Sequence, residues 1–257
     1  MTMSFNVVIP ARHASSRLPG KPLLQIAGRP MIEHVYRRAC DSGAEQVLIA
    51  TDDKAIEAAC LKFGAEVRMT AASHASGTDR IAEVAEALRW GEEQIVVNVQ
   101  CDEPLIPPVI IRQAGELLRL SPEAQIATLA EPIHSLDEYL DPHVVKVVLA
   151  ESGLALYFSR APIPWNRDGA DSGLPSQTNY DNALRHIGIY AYRVGSLLRL
   201  SASPPSPPET AERLEQLRAL WLGMSIKVAI ASEPPGPGVD TEKDLQAVVA
   251  MIESAES

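Results

Sequence analysis

The residues with most chemical potential stand in one short stretch, Ala11-Arg12-His13-Ala14-Ser15-Ser16-Arg17-Leu18-Pro19-Gly20-Lys21-Pro22. Its small side chains let backbone N–H groups approach an anion, and Arg12, Arg17 and Lys21 supply fixed positive charge for phosphate oxygens. Such a loop favours a nucleoside triphosphate over the alternative of an ordinary basic surface loop. It is not a P-loop, because Pro22 stands where a Mg²⁺-binding Ser or Thr belongs and Ser15 where the first Gly is required. No Gly-x-Gly-x-x-Gly run for a dinucleotide is present either.

Two carboxylates complement these cations. Asp102, in Gln100-Cys101-Asp102-Glu103-Pro104, follows an apolar run, and Asp240, in Gly238-Val239-Asp240-Thr241, precedes a helical pattern. Mg²⁺ is commonly held through one or two carboxylates with phosphate oxygens and waters, so the pair is a candidate metal-triphosphate site. Asp240 equally suits a plain helix N-cap, and Glu103 suits a turn. Arg160 and Arg185-His186 are cationic groups beside buried runs. They suit a substrate carboxylate or an internal salt bridge. His34 and His143 have no metal-ligand pattern around them and read as structural. No Ser-His-Asp or Cys-His order stands out. Cys101 reads as a bystander, since nucleotidyl transfer needs charge neutralisation more than a protein nucleophile.

Positioning these groups requires a scaffold of alternating strands and helices. Phe5–Pro10 reads as a buried strand, followed by a helix with Pro30 in its first turn and Gly43 past its end. Further segments are a strand at Gln46–Thr51, a helix at Asp53–Phe63, a strand at Glu66–Thr70, a helix at Thr78–Trp90 and a strand at Gln94–Gln100. This is the signature of βαβ units around a mostly parallel sheet, whose strand ends bind ligands. Antiparallel character enters with a hairpin of Val144–Leu149 and Leu154–Ser159, then a strand at Arg185–Val194. One helix is expected from Pro208 through Leu214, Leu217, Leu220 and Trp221, forming a subunit or lobe contact. Ser225–Ala231 is a last strand, and Thr241–Ile252 a closing helix capped by Asp240. The expected fold is α/β: a mixed, mostly parallel central sheet with flanking helices, plus a smaller antiparallel lobe.

Composition bounds the function. The chain has 257 residues, 46% apolar and 22% charged, which suits one domain. Within it, 1–135 reads as mainly the nucleotide-binding half and 236–257 as a metal-binding turn and closing helix, while 136–235 reads as a smaller lobe, to which the family resemblance set out below assigns sugar binding and dimerisation. With 23 basic against 33 acidic side chains the net charge is −10, and no basic stripe exists for nucleic acid. No apolar run approaches a membrane span, and the start lacks a signal-peptide pattern. A cytoplasmic protein with no membrane partner is expected, its Cys40, Cys60 and Cys101 reduced thiols.

The ordered motifs resemble those of the 3-deoxy-manno-octulosonate (Kdo) cytidylyltransferases nearly end to end. They are Ile9-Pro10-Ala11-Arg12 with Ser16-Arg17-Leu18-Pro19-Gly20-Lys21-Pro22-Leu23, Ser76-Gly77-Thr78-Asp79-Arg80, Val97-Asn98-Val99-Gln100 with Asp102-Glu103-Pro104, Tyr157-Phe158-Ser159-Arg160, Ile163-Pro164-Trp165, Arg185-His186-Ile187-Gly188-Ile189-Tyr190, Leu214-Glu215-Gln216-Leu217-Arg218 and Gly238-Val239-Asp240-Thr241. The resemblance implies a glycosyltransferase-A-like fold, a homodimer, and the reaction of CTP with Kdo to give CMP-Kdo and pyrophosphate for lipopolysaccharide. It places Ala11, Arg12, Ser16, Arg17, Lys21, Ser76 and Arg80 around the nucleotide and Mg²⁺ on Asp102 and Asp240, with Lys21 and these two carboxylates as the catalytic set. It also implies that Gln100, Arg160, His186, Tyr190, Glu215 and Gln216 line the sugar pocket, with Arg160 on the Kdo carboxylate. Cys101 departs from the Gly expected there, and Asp79 from a Glu. Pro208 and Ala191 replace an expected Leu and Gly. An 8-amino Kdo analogue or a sialic acid remains an alternative acceptor, and a catalytically silent nucleotide-binding regulator an alternative class.

Overall fold

The computed structural model describes residues 4–13, 18–167 and 173–256. In chain order the elements are β1 (Phe5–Ala11), β2 (Gln25–Ile26), β3 (Arg29–Pro30), α1 (Met31–Cys40), β4 (Val47–Thr51), α2 (Lys54–Lys62), β5 (Glu66–Met69), α3 (Gly77–Ala87), β6 (Ile95–Asn98), α4 (Pro108–Arg119), β7 (Ile126–Pro132), α5 (Leu136–Leu140), β8 (Lys146–Leu149), β9 (Ala155–Ser159), β10 (Leu184–Arg193), α6 (Val194–Ser201), α7 (Pro207–Glu212), α8 (Gln216–Trp221), β11 (Ile226–Ile230) and α9 (Glu242–Glu256). The main sheet runs β11-β7-β10-β6-β1-β4-β5, with β8 on β10 and β9 on β8. Along that path β10 alone is antiparallel to its neighbours. The hairpin of β8 and β9 extends the antiparallel part outward. A separate two-stranded sheet joins β2 and β3. The expected mixed α/β architecture is therefore the one found.

Every residue of β1 is buried because parallel neighbours occupy both its edges and helices cover both its faces. Val7, Ile9, Ile49 and Val97 face α1, α2 and α4. The alternate residues Val8, Leu48 and Val96 face α3, α6 and α8. Period-two alternation thus sends consecutive side chains into different cores. α9 closes a smaller cluster in which Val239, Leu245 and Val248 pack on Ile26 and Met31.

Three local expectations are corrected. The helix expected from Pro208 to Trp221 is two helices, because Arg213 adopts a left-handed conformation (φ 55°) after α7. Arg218 then donates to the Glu209 carboxylate across the break, with Nε at 2.8 Å, which fixes the angle between α7 and α8. Asp240 does not cap α9. Thr241 does: its Oγ1 accepts from the Asp244 N–H, while the Asp244 carboxylate accepts from the Thr241 N–H at 2.8 Å. Pro30 precedes α1 at the cap position instead of lying within its first turn. Among the elements not anticipated, α4 and β7 complete the sheet and its cover, and β2, β3 and α5 are further additions.

Candidate active site

β1 and β6 are parallel neighbours, so the chain leaving each emerges at one sheet edge. After β1, Gly20 takes a left-handed conformation (φ 68°) that a side chain would strain, and this turns Lys21 inward. Lys21 is only 7% exposed. Its Nζ donates to Asp102 Oδ2 at 2.7 Å and to Asp240 Oδ1 at 3.0 Å. The two acidic turns are tied by their backbones, the Val239 N–H donating to the Asp102 carbonyl at 2.8 Å. Burial works to lower the Lys21 pKa, but the charges and hydrogen bonds of Asp102 and Asp240 outweigh it and raise it. Lys21 is accordingly a fixed ammonium, shared by two carboxylates that lie far apart in sequence.

That donor set fits a hard divalent cation. Among the described residues no three His, Cys, Asp or Glu side chains gather in a way that could hold a metal alone. Two carboxylates converging on one positive charge offer oxygen donors only, a set that phosphate oxygens and waters would complete around Mg²⁺. Nitrogen and sulfur donors for zinc are missing from it.

A cavity of about 260 Å³ opens beside these groups. Lys21, Asp102 and Asp240 lie along it with Ala11, Arg12 and Gln100; Ser76, Gly77 and Arg80 also line it. Ser76 caps α3: its Oγ accepts from the Asp79 N–H at 3.1 Å and Asp79 accepts from the Ser76 N–H at 3.2 Å, so the shorter acid still closes the box. Gly77 lets the helix start approach β1, since a Cβ there would meet Pro10 Cγ at 3.1 Å. Arg80 is buried, pairs with Asp52 at 3.1 Å and donates to Thr70 Oγ1. Its charge is thereby compensated, and Arg12 is the more exposed cation at this cavity. Ser16 and Arg17 lie outside the described residues.

Cys101 lines the same cavity. Burial, reinforced by the Asp102 charge, pushes its thiol up to about 12, so it is protonated at neutral pH and unsuited to nucleophilic attack. Burial and then the Asp102 charge also push the Glu103 carboxyl up to about 7.

A second cavity of about 140 Å³ adjoins the first through Gly77 and Gln100, which line both. Tyr190, Glu215 and Gln216 also line it, along with three residues the sequence did not single out, Thr78, Asn98 and Tyr192. Burial raises the Glu215 pKa, against hydrogen bonds with Thr78 and Ser76 that tie the start of α8 to the start of α3. The break at Arg213 is what aims Glu215 and Gln216 this way.

Two expected sugar residues stand outside these linings. Arg160 Nε donates to the Glu212 carbonyl at 2.7 Å and its Nη1 to the Pro142 carbonyl at 2.9 Å, while the Arg160 N–H donates to the Glu212 carboxylate at 2.7 Å. His186 packs against Phe158 and Tyr190, each ring centroid 5.1 Å away. Thr128 Oγ1 lies 2.6 Å from the Ile189 carbonyl and 2.9 Å from His186 Nε2. With the single hydroxyl proton on the shorter contact, His186 Nε2–H is the donor to Thr128. Burial holds that imidazole neutral, its pKa lowered to about 3. His186 supports Tyr190 from behind. Arg185 is a salt-bridge residue, 2.8 Å from Glu131 and 3.0 Å from Glu138. Polar Asn98 in the apolar run of β6 was a visible signal of a site; Glu212, on a short helix, offered none.

Residues 6–226 match the cytidylyltransferase family model. The 3-deoxy-manno-octulosonate cytidylyltransferase of Halorhodospira halophila is 54% identical over 256 residues, covering 98% of either chain. That of Marinobacter nauticus is 55% identical over 258 residues, again covering 98% of either chain. Among solved structures, a CMP:2-keto-3-deoxy-manno-octonic acid synthetase complexed with CTP superposes with a TM-score of 0.88 at 43% identity, covering 98% of this chain and 100% of that one.

Proposed function

The chain belongs to the cytidylyltransferase family, and we propose that it performs the reaction for which its 54% and 55% identical relatives are named: transfer of CMP from CTP to the anomeric hydroxyl of Kdo, releasing pyrophosphate. The observation that carries this reading is Lys21, held between Asp102 and Asp240 at the joint edge of β1 and β6, beside one cavity for a nucleotide and a second, polar one for a sugar.

The anomeric oxygen attacks the α-phosphorus in line. The new oxygen–phosphorus bond forms as the bond to the β-phosphate oxygen breaks, pyrophosphate leaves, and the hydroxyl proton passes to solvent. Asp102 and Asp240 are the residues that would hold Mg²⁺, which supplies charge neutralisation on the phosphates and acidifies the attacking hydroxyl. Lys21 and Arg12, joined by Arg17, stabilise charge on the departing group. Ser76 and Arg80 bound the nucleotide cavity. Gln100 stands where the two cavities meet and aligns the sugar with the phosphate. Tyr190, Glu215 and Gln216 hold the sugar, and His186 steadies Tyr190. Arg160 receives the sugar carboxylate: its guanidinium meets main-chain carbonyls and, among the described residues, makes no ion pair, so its charge is available to an anion.

We place the reaction in the cytoplasm, supplying activated Kdo for lipopolysaccharide, and the enzyme as a homodimer. Among the described residues no helix is long and apolar enough to cross a membrane. Among the described residues β9 pairs with β8 alone, Leu156 and Tyr157 on it are exposed, exposed Trp165 follows it, and a second copy would cover such a surface.

Pyrophosphate release from CTP with Kdo, 8-amino Kdo, a sialic acid or no sugar tests the reading. Release with Kdo supports it. Release with another sugar alone moves the substrate, and CTP binding without release under any sugar points to a regulator.

A further inference from the structure

Glu212, the last residue of α7, grips the end of β9 without neutralising the arginine that follows it. Its Oε2 accepts from the Arg160 N–H at 2.7 Å and its Oε1 from the buried Ser159 hydroxyl at 2.8 Å. Both carboxylate oxygens are thereby engaged, and the Arg160 guanidinium meets main-chain carbonyls instead, those of Glu212 and Pro142. A carbonyl in the last turn of a helix has no intrahelical donor, so the end of α7, fixed by left-handed Arg213, presents a ready acceptor to Arg160 Nε. The Pro142 anchor is held as well. Lys146, the cross-strand partner of Ser159, is fully buried, and its ammonium donates to the Asp141 and Val144 carbonyls at 2.8 Å and 2.6 Å.

A carboxylate beside a guanidinium ordinarily forms a bidentate pair, which would consume the charge an anionic substrate needs. Here the Ser159 hydroxyl and the Arg160 N–H occupy the Glu212 oxygens, so the guanidinium is aimed by carbonyl dipoles and keeps its full charge. We propose that Glu212 is the positioning residue for Arg160: it fixes the backbone and Nε of that arginine while leaving its charge for the carboxylate of the sugar acid. Glu212 lines neither cavity and acts through Arg160. The inference rests on the reading of the protein as a Kdo cytidylyltransferase and adds to it a residue remote from the reacting atoms.

The test is initial rates, with each substrate varied, for wild type, Glu212→Ala, Glu212→Asp, Glu212→Gln, Arg160→Ala and the Arg160→Ala/Glu212→Ala double variant. Glu212→Ala should raise the KM for Kdo by about tenfold or more, because a misplaced guanidinium loses its alignment, while the KM for CTP stays put. Glu212→Gln should restore the wild-type KM, since its amide oxygen accepts from the Arg160 N–H and its amide nitrogen donates to Ser159 Oγ. Glu212→Asp keeps the charge and the fold but shortens the reach, so it should show the same split in smaller measure. In the Arg160→Ala background Glu212→Ala should add nothing, the non-additivity of residues that act as one unit. A purely structural residue would move both KM values together and add its loss to that of Arg160→Ala. Either of those results, or an unchanged KM for Kdo in folded Glu212→Ala or Glu212→Asp, overturns the proposal. If wild type releases no pyrophosphate with Kdo, the functional reading falls and the inference with it.

Discussion

Lys21 Nζ donates to Asp102 Oδ2 at 2.7 Å, and the same ammonium reaches Asp240 Oδ1 at 3.0 Å. It therefore stands where a cation between the two carboxylates would stand. Lys21→Met should remove that competitor and tighten Mg²⁺ binding to the nucleotide-free protein, measured by titration calorimetry. Turnover should fall by about 100-fold or more, since charge on the leaving group loses a partner. Unchanged metal affinity would show that the ammonium and the metal do not share a position.

Arg160 is held by the carbonyls of Glu212 and Pro142, at 2.7 Å and 2.9 Å. Arg160→Ala should raise the KM for Kdo strongly, with CTP affinity mostly kept, as read by initial rates with each substrate varied. Equal loss for both substrates would remove Arg160 from the sugar side.

His186 gives a stability prediction with a definite sign. Burial lowers its pKa to about 3 in the folded protein, against about 6.5 for an unperturbed histidine. Between those values the unfolded chain binds the extra proton, so stability falls as pH drops from about 6.5 towards 3. His186→Gln should flatten that part of the profile relative to wild type in denaturant titrations at stepped pH. Parallel profiles would mean the imidazole is not held neutral.

Gly115 on α4 faces Phe5 of β1 so closely that an added Cβ would lie 2.7 Å from the ring. Gly115→Ala should destabilise the fold by about 1–3 kcal/mol, the range for overpacking a tight core, visible as a lower denaturation midpoint. No change would show that helix and strand separate easily.

Much of this was legible in the chain. The alternation of short apolar runs with helical segments predicted β1, β4, β5 and β6, because buried parallel strands leave that pattern; the two-residue strands β2 and β3 left no such run. The loop around Lys21 and the two acidic turns were readable from residue type. Three features were not. The assignment of Asp240 as a cap failed because Thr241 and Asp244 take that role, which local sequence leaves ambiguous. The break at Arg213 depends on a left-handed residue that carries no glycine signal. The roles of Arg160 and His186 depend on contacts with Glu212 and Thr128, residues 52 and 58 positions away, which no local pattern reveals.

The central claim is that Asp102 and Asp240 organise cytidylyl transfer to Kdo. Its most direct test is Kdo-dependent pyrophosphate release from CTP by wild type and Asp102→Asn, each with Mg²⁺ and with EDTA, alongside circular dichroism of both proteins. The prediction is release by wild type that EDTA abolishes, and a folded Asp102→Asn protein without turnover. Substantial Mg²⁺-dependent release by Asp102→Asn would contradict it.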